Sequence, residues 1–453
     1  MFESTKSNLS AAWPLSLLYV ASATLRAGHA VNILDAYIGG CIPYVFGKHA
    51  LYYTGSIVRE QDTTNETCHL IGVPYTLVYN IIEKMRPDVV GVSLTFSTQH
   101  MIIPLIVEII KDAAPEAIIV FGGSHATLAA NIILDIDGVD YVVAGEGEVA
   151  FPTLLNAIEA KTSVEGIAGI CYRKDNEVFI SPYNLISNLD NLAFPAFGLV
   201  PTEQYFGAEG VRMMPMLTSR GCPFHCRFCS VPLLNGRKWR AHSAERVLAE
   251  ITTYVTNGVK EIHFIDDNMS LKKERFHTIL EGIISNSWKL KLHASQALHC
   301  ATLDSETLNL MQRAGFKKVF VSAESGNDRV LAEEIGKTFT VADAENAIRQ
   351  IVSAGMEPAV NLVVGMPGEK WIEIQDTVIF AHKMKELGAK QFWVSIATPM
   401  LGTELYQEVV DKGLFKTGIQ DVFSYGEATF DGIDWKREDL RILRDNLMKE
   451  LNG

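Results

Sequence analysis

One short run constrains this chain more than anything else in it: Cys222-Pro223-Phe224-His225-Cys226-Arg227-Phe228-Cys229. Thiolates this close on one loop grip a single soft metal centre. A structural zinc needs a fourth protein ligand, and His225, wedged between its neighbours, is the candidate nearest to hand. A [4Fe–4S] cluster held by three cysteines instead leaves one iron open, as a small chelating ligand would need. The other cysteines, Cys41, Cys68, Cys171 and Cys300, are scattered, for a total of 7. An odd count with one tight cluster fits a reducing compartment and a metal site, and it excludes a disulfide scaffold.

At 453 residues the chain has room for about three average domains. Acidic residues outnumber basic ones, 53 to 40, for a net charge of −13. That excludes broad nucleic-acid binding through a basic face. The mean hydropathy of +0.12 suits buried parallel strands. Ser7 to Leu25 is uncharged and ends near Ala21-Ser22-Ala23, yet Glu3 offsets Lys6, so it reads as a domain helix, not a secretory signal. No later run is apolar enough for a transmembrane span.

The first part alternates helix and strand. Helices are expected at Pro14–Ala27 (ending at Gly28), Tyr75–Met85, Ile102–Ala113, Asn131–Ile136 and Glu148–Ala160. Strands are expected at Ala30–Asp35, Asp88–Leu94, Ala117–Phe121 and Val139–Val143, and a hairpin over Ile167–Ile180. An irregular stretch rich in proline and aromatics follows. From Met213 the alternation resumes. Strands are expected at Met213–Ser219, Glu261–Ile265, Leu290–Ser295, Lys318–Val321, Pro358–Val364 and Gln391–Ile396, with Ser243, Asp304 and Thr340 as helix caps. Six βα units predict a partial (β/α)6 TIM-type barrel after a Rossmann-like parallel-sheet domain, an α/β chain throughout. A charged helix, Arg437–Leu451, ends it. The expected division is 1–190, a linker at 191–211, a core at 212–409 and an extension at 410–453.

The cysteine spacing, placed after the first barrel strand with Phe228 before the last cysteine, resembles the radical S-adenosylmethionine (SAM) superfamily. The resemblance covers about residues 213–406. It implies a [4Fe–4S] cluster on Cys222, Cys226 and Cys229 whose open iron binds SAM, and reductive cleavage to a 5′-deoxyadenosyl radical. Further positions at C-terminal strand ends, where barrel sites form, agree with it. Asp266 and above all Asp267, in Phe264-Ile265-Asp266-Asp267-Asn268, match the motif that receives the SAM amine. Glu324 matches the residue that meets its ribose or amine. Gly365 and Pro367, in Gly365-Met366-Pro367-Gly368-Glu369, match the turn near adenine, and Phe228 would flank cluster and adenine. Helix capping, a salt bridge and a plain turn are the competing structural readings of these carboxylates and glycines.

Residues 14–160 resemble the cobalamin-binding domain that precedes many radical SAM cores. Ser93 and Thr95, Gly122 and Gly123, and Gly145 and Glu146 fall where small residues at strand ends would admit a flat corrin. Two departures stand out. No Asp-x-His-x-x-Gly motif surrounds His29, His49 or His69, and no strand is evident before residue 14. The implied activity is cobalamin-dependent methyl transfer to an unactivated carbon or phosphorus of a small molecule. The implied partners are that substrate and an electron donor such as flavodoxin or ferredoxin, in the cytoplasm and without nucleic acid. The missing strand motivates an alternative: cyclisation, oxidation, elimination or decarboxylation with a vestigial cobalamin domain. A non-catalytic sensor would not need the strand-end motifs. A methylthiotransferase would need a second cysteine group. His293, His299, Trp393 and Tyr406 read as core packing.

Overall fold

The computed structural model describes residues 13–35, 44–46, 49–51, 57–59, 68–70, 75–295, 298–415 and 428–453. It divides into two compact units, Met1–Thr95 with Met101–Asn184 and Leu192–Met213, and Phe96–His100 with Leu185–Asn191 and Met214–Gly453.

The first unit opens with helix α1 (Leu15–Arg26), which closes on Gly28 at φ +95°. Two short antiparallel pairs follow, β1 (Tyr44–Phe46) with β2 (His49–Leu51) and β3 (Ile57–Arg59) with β4 (Cys68–Leu70). His49 and His69 lie in these strands, and their side chains are outside the described residues. Next come α2 (Tyr75–Met85), β5 (Val89–Ser93), α3 (Ile103–Ala113), β6 (Ile118–Gly122), α4 (Ser124–Leu128), α5 (Ala130–Leu134), β7 (Tyr141–Val143), α6 (Gly147–Glu159), β8 (Ile170–Lys174) and β9 (Glu177–Phe179). The sheet order is β5-β6-β7-β8-β9. Its first three strands are parallel and its last two antiparallel. Asp175 and Asn176, both at positive φ, make the tight hairpin turn. Ile119, Val120 and Phe121 are fully buried, as a strand covered on both faces requires. Gly147 lets Val20 of α1 come to 3.0 Å of where its Cβ would stand, seating α1 on α6.

One expectation changes in this unit and another is extended. Ala30–Asp35 is not a strand; among the described residues it has no ladder partner, and Ile33 is used in packing on Leu18, Val200 and Tyr205. The helix expected at Asn131–Ile136 is present as α5, Ala130–Leu134, and a further short helix, α4, precedes it from Ser124 directly after the glycine pair. Residues 191–211, the expected linker, are packed. They hold α7 (Thr202–Glu209), whose Tyr205 stacks on Trp13 at 4.1 Å. The segment before residue 13, where a first strand was sought, lies outside the described residues.

The second unit runs β10 (Met213–Met216), β11 (Ser219–Arg220), α8 (Val231–Leu234), β12 (Arg240–Ala241), α9 (Ala244–Thr256), β13 (Glu261–Phe264), α10 (Lys273–Ser285), β14 (Lys291–Ala294), α11 (Ser305–Ala314) and β15 (Lys318–Glu324). It continues with α12 (Val341–Ser353), β16 (Glu357–Val364), α13 (Trp371–Glu386), β17 (Gln391–Ile396), α14 (Glu404–Asp411) and α15 (Arg437–Asn452). Two three-stranded sheets, β10-β13-β14 and β15-β16-β17, meet through isolated bridges of Leu292 with Phe316 and Leu298 with Val321. This is the expected partial six-stranded barrel. Ser243, Asp304 and Thr340 each cap the predicted helix with a side-chain acceptor, Thr340 in a full capping box. The outer edge of β17 is closed by α15. The Val394 N–H donates to Met448 Sδ, and Asn452 bonds both backbone groups of Phe392. Among the described residues no helix is long and apolar enough to cross a membrane.

Candidate active site

The cysteine loop leaves β11 through Gly221, at φ +88°. A Cβ there would stand 2.7 Å from the Lys238 carbonyl, so only glycine fits. The loop backbone is then clipped at three points. Cys222 N–H donates to Gly236 O at 3.2 Å, Arg227 N–H to Ile335 O at 2.9 Å, and Arg227 O accepts from Leu405 N–H at 3.0 Å. The Arg227 guanidinium reaches Glu408 and lies near Glu334 and Glu404. Phe224 stacks on His299 with ring centres 4.0 Å apart and planes 9° from parallel. His299, read from sequence as core, therefore props the loop. Burial pushes all three thiols up, Cys229 to about 12, and all three are free of disulfides.

The two adjacent aspartates divide in role. Asp266 is buried, and both its oxygens accept from Thr218 N–H at 3.1 Å. The hydroxyls of Thr218 and Ser219 donate to its Oδ1 at 2.6 Å. Burial raises its pKa, against these bonds and the nearby Arg275. It ties the end of β10 to the end of β13. Asp267 reaches the loop itself, with Oδ2 accepting from Gly221 N–H at 2.8 Å and from the Asn235 amide at 2.9 Å. Its pKa is also raised, first by burial.

Glu324 ends β15 in the left-handed region, φ +62°, beside a register shift between Ser322 and Glu324. A non-glycine residue held there is strained, a feature that clusters at functional sites. Its buried carboxylate pairs with Lys337 at 2.9 Å. Sequence reasoning missed Lys337, which comes from a loop with no motif of its own.

A glycine turn follows β16. Gly365 is at φ +88°, and a Cβ there would meet Leu440 at 2.4 Å and Trp435 at 3.4 Å. The space freed by this glycine is therefore filled by the C-terminal segment. Glu369 shapes the turn: its Oε2 accepts from Gly365 N–H at 2.6 Å and Met366 N–H at 3.1 Å. Trp435 Nε1 donates to the Glu369 carbonyl at 2.8 Å. Burial pushes the Glu369 carboxyl up to about 7. Pro367 is buried in the same turn, and Phe228 is half-buried in the cysteine loop. His293 bonds Glu261 at 2.6 Å, Trp393 packs on Phe320 at 5.2 Å, and Tyr406 lies by Phe415 at 6.0 Å.

In the first unit, the residues singled out from sequence gather at the C-terminal ends of β5, β6 and β7. Ser93 pairs with Gly122, and Thr95 follows, exposed. Gly123, at φ +96°, begins α4; a Cβ would stand 2.6 Å from the Leu94 carbonyl. Gly145 donates its N–H to Thr127 Oγ1 at 2.9 Å and lies under the Tyr183 ring, and Glu146 begins α6. His29 bonds Asn156 at 2.8 Å, a local surface contact.

The Radical SAM superfamily profile matches residues 216–381, and the B12 binding domain profile matches residues 65–155. An uncharacterized methyltransferase of Pyrococcus horikoshii is 32% identical over 371 residues, covering 81% of this chain and 79% of that protein. The cytidylyl-2-hydroxyethylphosphonate methyltransferase of Streptomyces wedmorensis is 28% identical over 485 residues, covering 97% and 86%. Among solved structures, the cobalamin-dependent S-adenosylmethionine radical enzyme OxsB, with aqua-cobalamin and S-adenosylmethionine bound, shares the fold with a TM-score of 0.68 at 17% identity. That match covers 82% of this chain and 59% of OxsB.

Proposed function

The chain belongs to the radical SAM superfamily, and on that premise we propose that it is a cobalamin-dependent methyltransferase acting on an unactivated carbon or phosphorus of a small molecule. Cys222, Cys226 and Cys229 would hold the [4Fe–4S] cluster. The donor set fits: three free, half-buried thiols share one loop whose backbone is fixed at Cys222 and Arg227. Buried thiols with raised pKa values are ionised by a metal centre that compensates their charge. When bound, cluster, SAM and cobalamin together supply a 5′-deoxyadenosyl radical and a transferable methyl group.

The chain's own residues would bind and orient. Asp267 and Glu324 would receive the SAM amine and ribose as acceptors. Asp266 would act one step back, holding Thr218 and Ser219 so that Asp267 stays against the loop. The turn at Gly365 and Pro367, shaped by Glu369, would lie along the adenine, with Phe228 flanking it. Ser93, Thr95, Gly122, Gly123, Gly145 and Glu146 would line the cobalamin side of the first unit. Their small, turn-forming residues at three adjacent parallel strand ends fit a flat ring system. The working division is 1–190, 191–211, 212–409 and 410–453. Flavodoxin or ferredoxin would supply electrons, in the cytoplasm.

The observation that carries this reading is the cysteine loop, clipped at the C-terminal end of the first barrel strands and bonded through Gly221 to Asp267. Anaerobically reconstituted protein, desalted after exposure to cobalamin, tests it. About one equivalent of retained cobalamin, SAM cleavage under reduction and a methylated product are expected. One observation favours a second reading without cobalamin: among the described residues β5 has no strand on its outer side. Intact SAM cleavage with no cobalamin retained would select that reading.

A further inference from the structure

After Arg329 the helix widens to a π-helical turn, Val330–Ile335, and stops at Gly336 in the left-handed region, φ +87°. Such turns are uncommon and concentrate at functional sites. A Cβ on Gly336 would stand 2.5 Å from the His225 carbonyl, and Ile335 O accepts from Arg227 N–H. The segment is thus sewn to the cysteine loop on both sides of Cys226. The Lys337 and Gly336 N–H groups both donate to Leu331 O, at 2.7 and 3.0 Å. The result is one side chain aimed inward. Lys337 is only 9% exposed and pairs with Glu324 at 2.9 Å, and its charge acts on the Cys226 thiol. Its charge also acts on Cys222 and Cys300.

We propose that Lys337 is a positioning residue for the cluster: a buried, fixed positive charge, held beside the cysteine loop by the Ile335–Arg227 and Gly336–His225 contacts, that raises the reduction potential of the [4Fe–4S] centre, with Glu324 as its counter-charge. The inference rests on the cluster assignment above. Reduction adds one negative charge to the cluster, so a nearby cation stabilises the reduced form. Burial keeps water from screening the effect. Glu324 opposes it, which gives the pair a signature: removing the two charges one at a time shifts the potential in opposite directions. Loss of packing alone would not produce that sign pattern.

The test is an EPR-monitored redox titration of the full-length, reconstituted protein without SAM, with iron and sulfide measured in each sample. Lys337→Met should lower the reduced-to-oxidised ratio at fixed potential by about tenfold, which is about 59 mV for one electron. Glu324→Gln should raise it, and Lys337→Arg should stay near wild type. Either charge-removing variant with wild-type iron content and an unshifted potential overturns the proposal, as does a shift of both in one direction. If Lys337→Met takes up no iron, the sign of the Glu324→Gln shift decides. Failure of the wild type to take up iron would instead overturn the cluster assignment itself.

Discussion

Adjacent aspartates with different partners offer the sharpest separation of structure from binding. Asp266 is buried and satisfies three donors, the Thr218 N–H and the hydroxyls of Thr218 and Ser219, both residues themselves fully buried. Asp266→Ala leaves all three without an acceptor. An orphaned buried donor costs about 1–3 kcal/mol. Removing the carboxylate also removes its own desolvation cost, visible in its raised pKa, which offsets part of the loss. The expected net is about 3–5 kcal/mol, the range for breaking a buried charged network from one side. Asp267 accepts two bonds at a partly buried position, so Asp267→Ala should cost only about 1–2 kcal/mol. Its SAM cleavage should nevertheless fall at least about 100-fold, since a charged acceptor for the SAM amine is worth about 3 kcal/mol. Anaerobic urea unfolding at constant slope reads the first effect. Formation of 5′-deoxyadenosine by samples of equal iron content reads the second. An Asp266→Ala protein within about 1 kcal/mol of wild type, or an Asp267→Ala protein that cleaves SAM normally, would refute this division of labour.

Other outcomes follow from single features. Gly336→Ala places a Cβ against the His225 carbonyl at a positive φ, so iron retention after desalting should drop well below wild type while the far-ultraviolet spectrum stays native. Gly123→Ala drives a Cβ into the Leu94 carbonyl, and cobalamin retention should be lost while cluster content is kept. Glu369 has a folded pKa of about 7 against an ordinary 4.5, so its burial penalty is absent below about pH 4.5 and complete above about pH 7. Unfolding at pH 5 and pH 8 should therefore show about 2.5 kcal/mol more stability at the lower pH from this group. Glu369→Gln should remove that component, and an unchanged pH slope in the variant would count against it.

What could be read from residues in order, and what could not, follows from how far apart the interacting groups lie in the chain. The barrel strands and the caps at Ser243, Asp304 and Thr340 are local signals, carried by apolar runs and by single side chains next to the helices they start. The cysteine loop is local too, and the match of its spacing to a family needed no tertiary information. Ala30–Asp35 was misread because an apolar run of that length is equally a strand or an extended segment packed on helices, and α7, more than 160 residues on, takes up its Ile33. The helix expected at Asn131–Ile136 is legible as α5, whereas α4, only five residues long, leaves no periodic signal of its own.

The site shows the same limit more strongly. Asp266 and Asp267 are neighbours of one residue type, and no pattern in the sequence tells the one that bonds Thr218 from the one that bonds Gly221. Only the pairing of β13 beside β10, with successive residues turned to different sides, assigns them. Gly365 has the residue type that close approach of a ligand requires, yet the space it frees is taken by Leu440 and Trp435 from the C-terminal segment. Lys337 has no motif because its position is set by a π-helical turn and a glycine, both meaningful only once the segment lies against Cys226. The residues of the candidate site are therefore legible where their spacing is local in the chain. The charges that tune them are not, because their placement depends on contacts between segments more than 100 residues apart, such as Ile335 with Arg227.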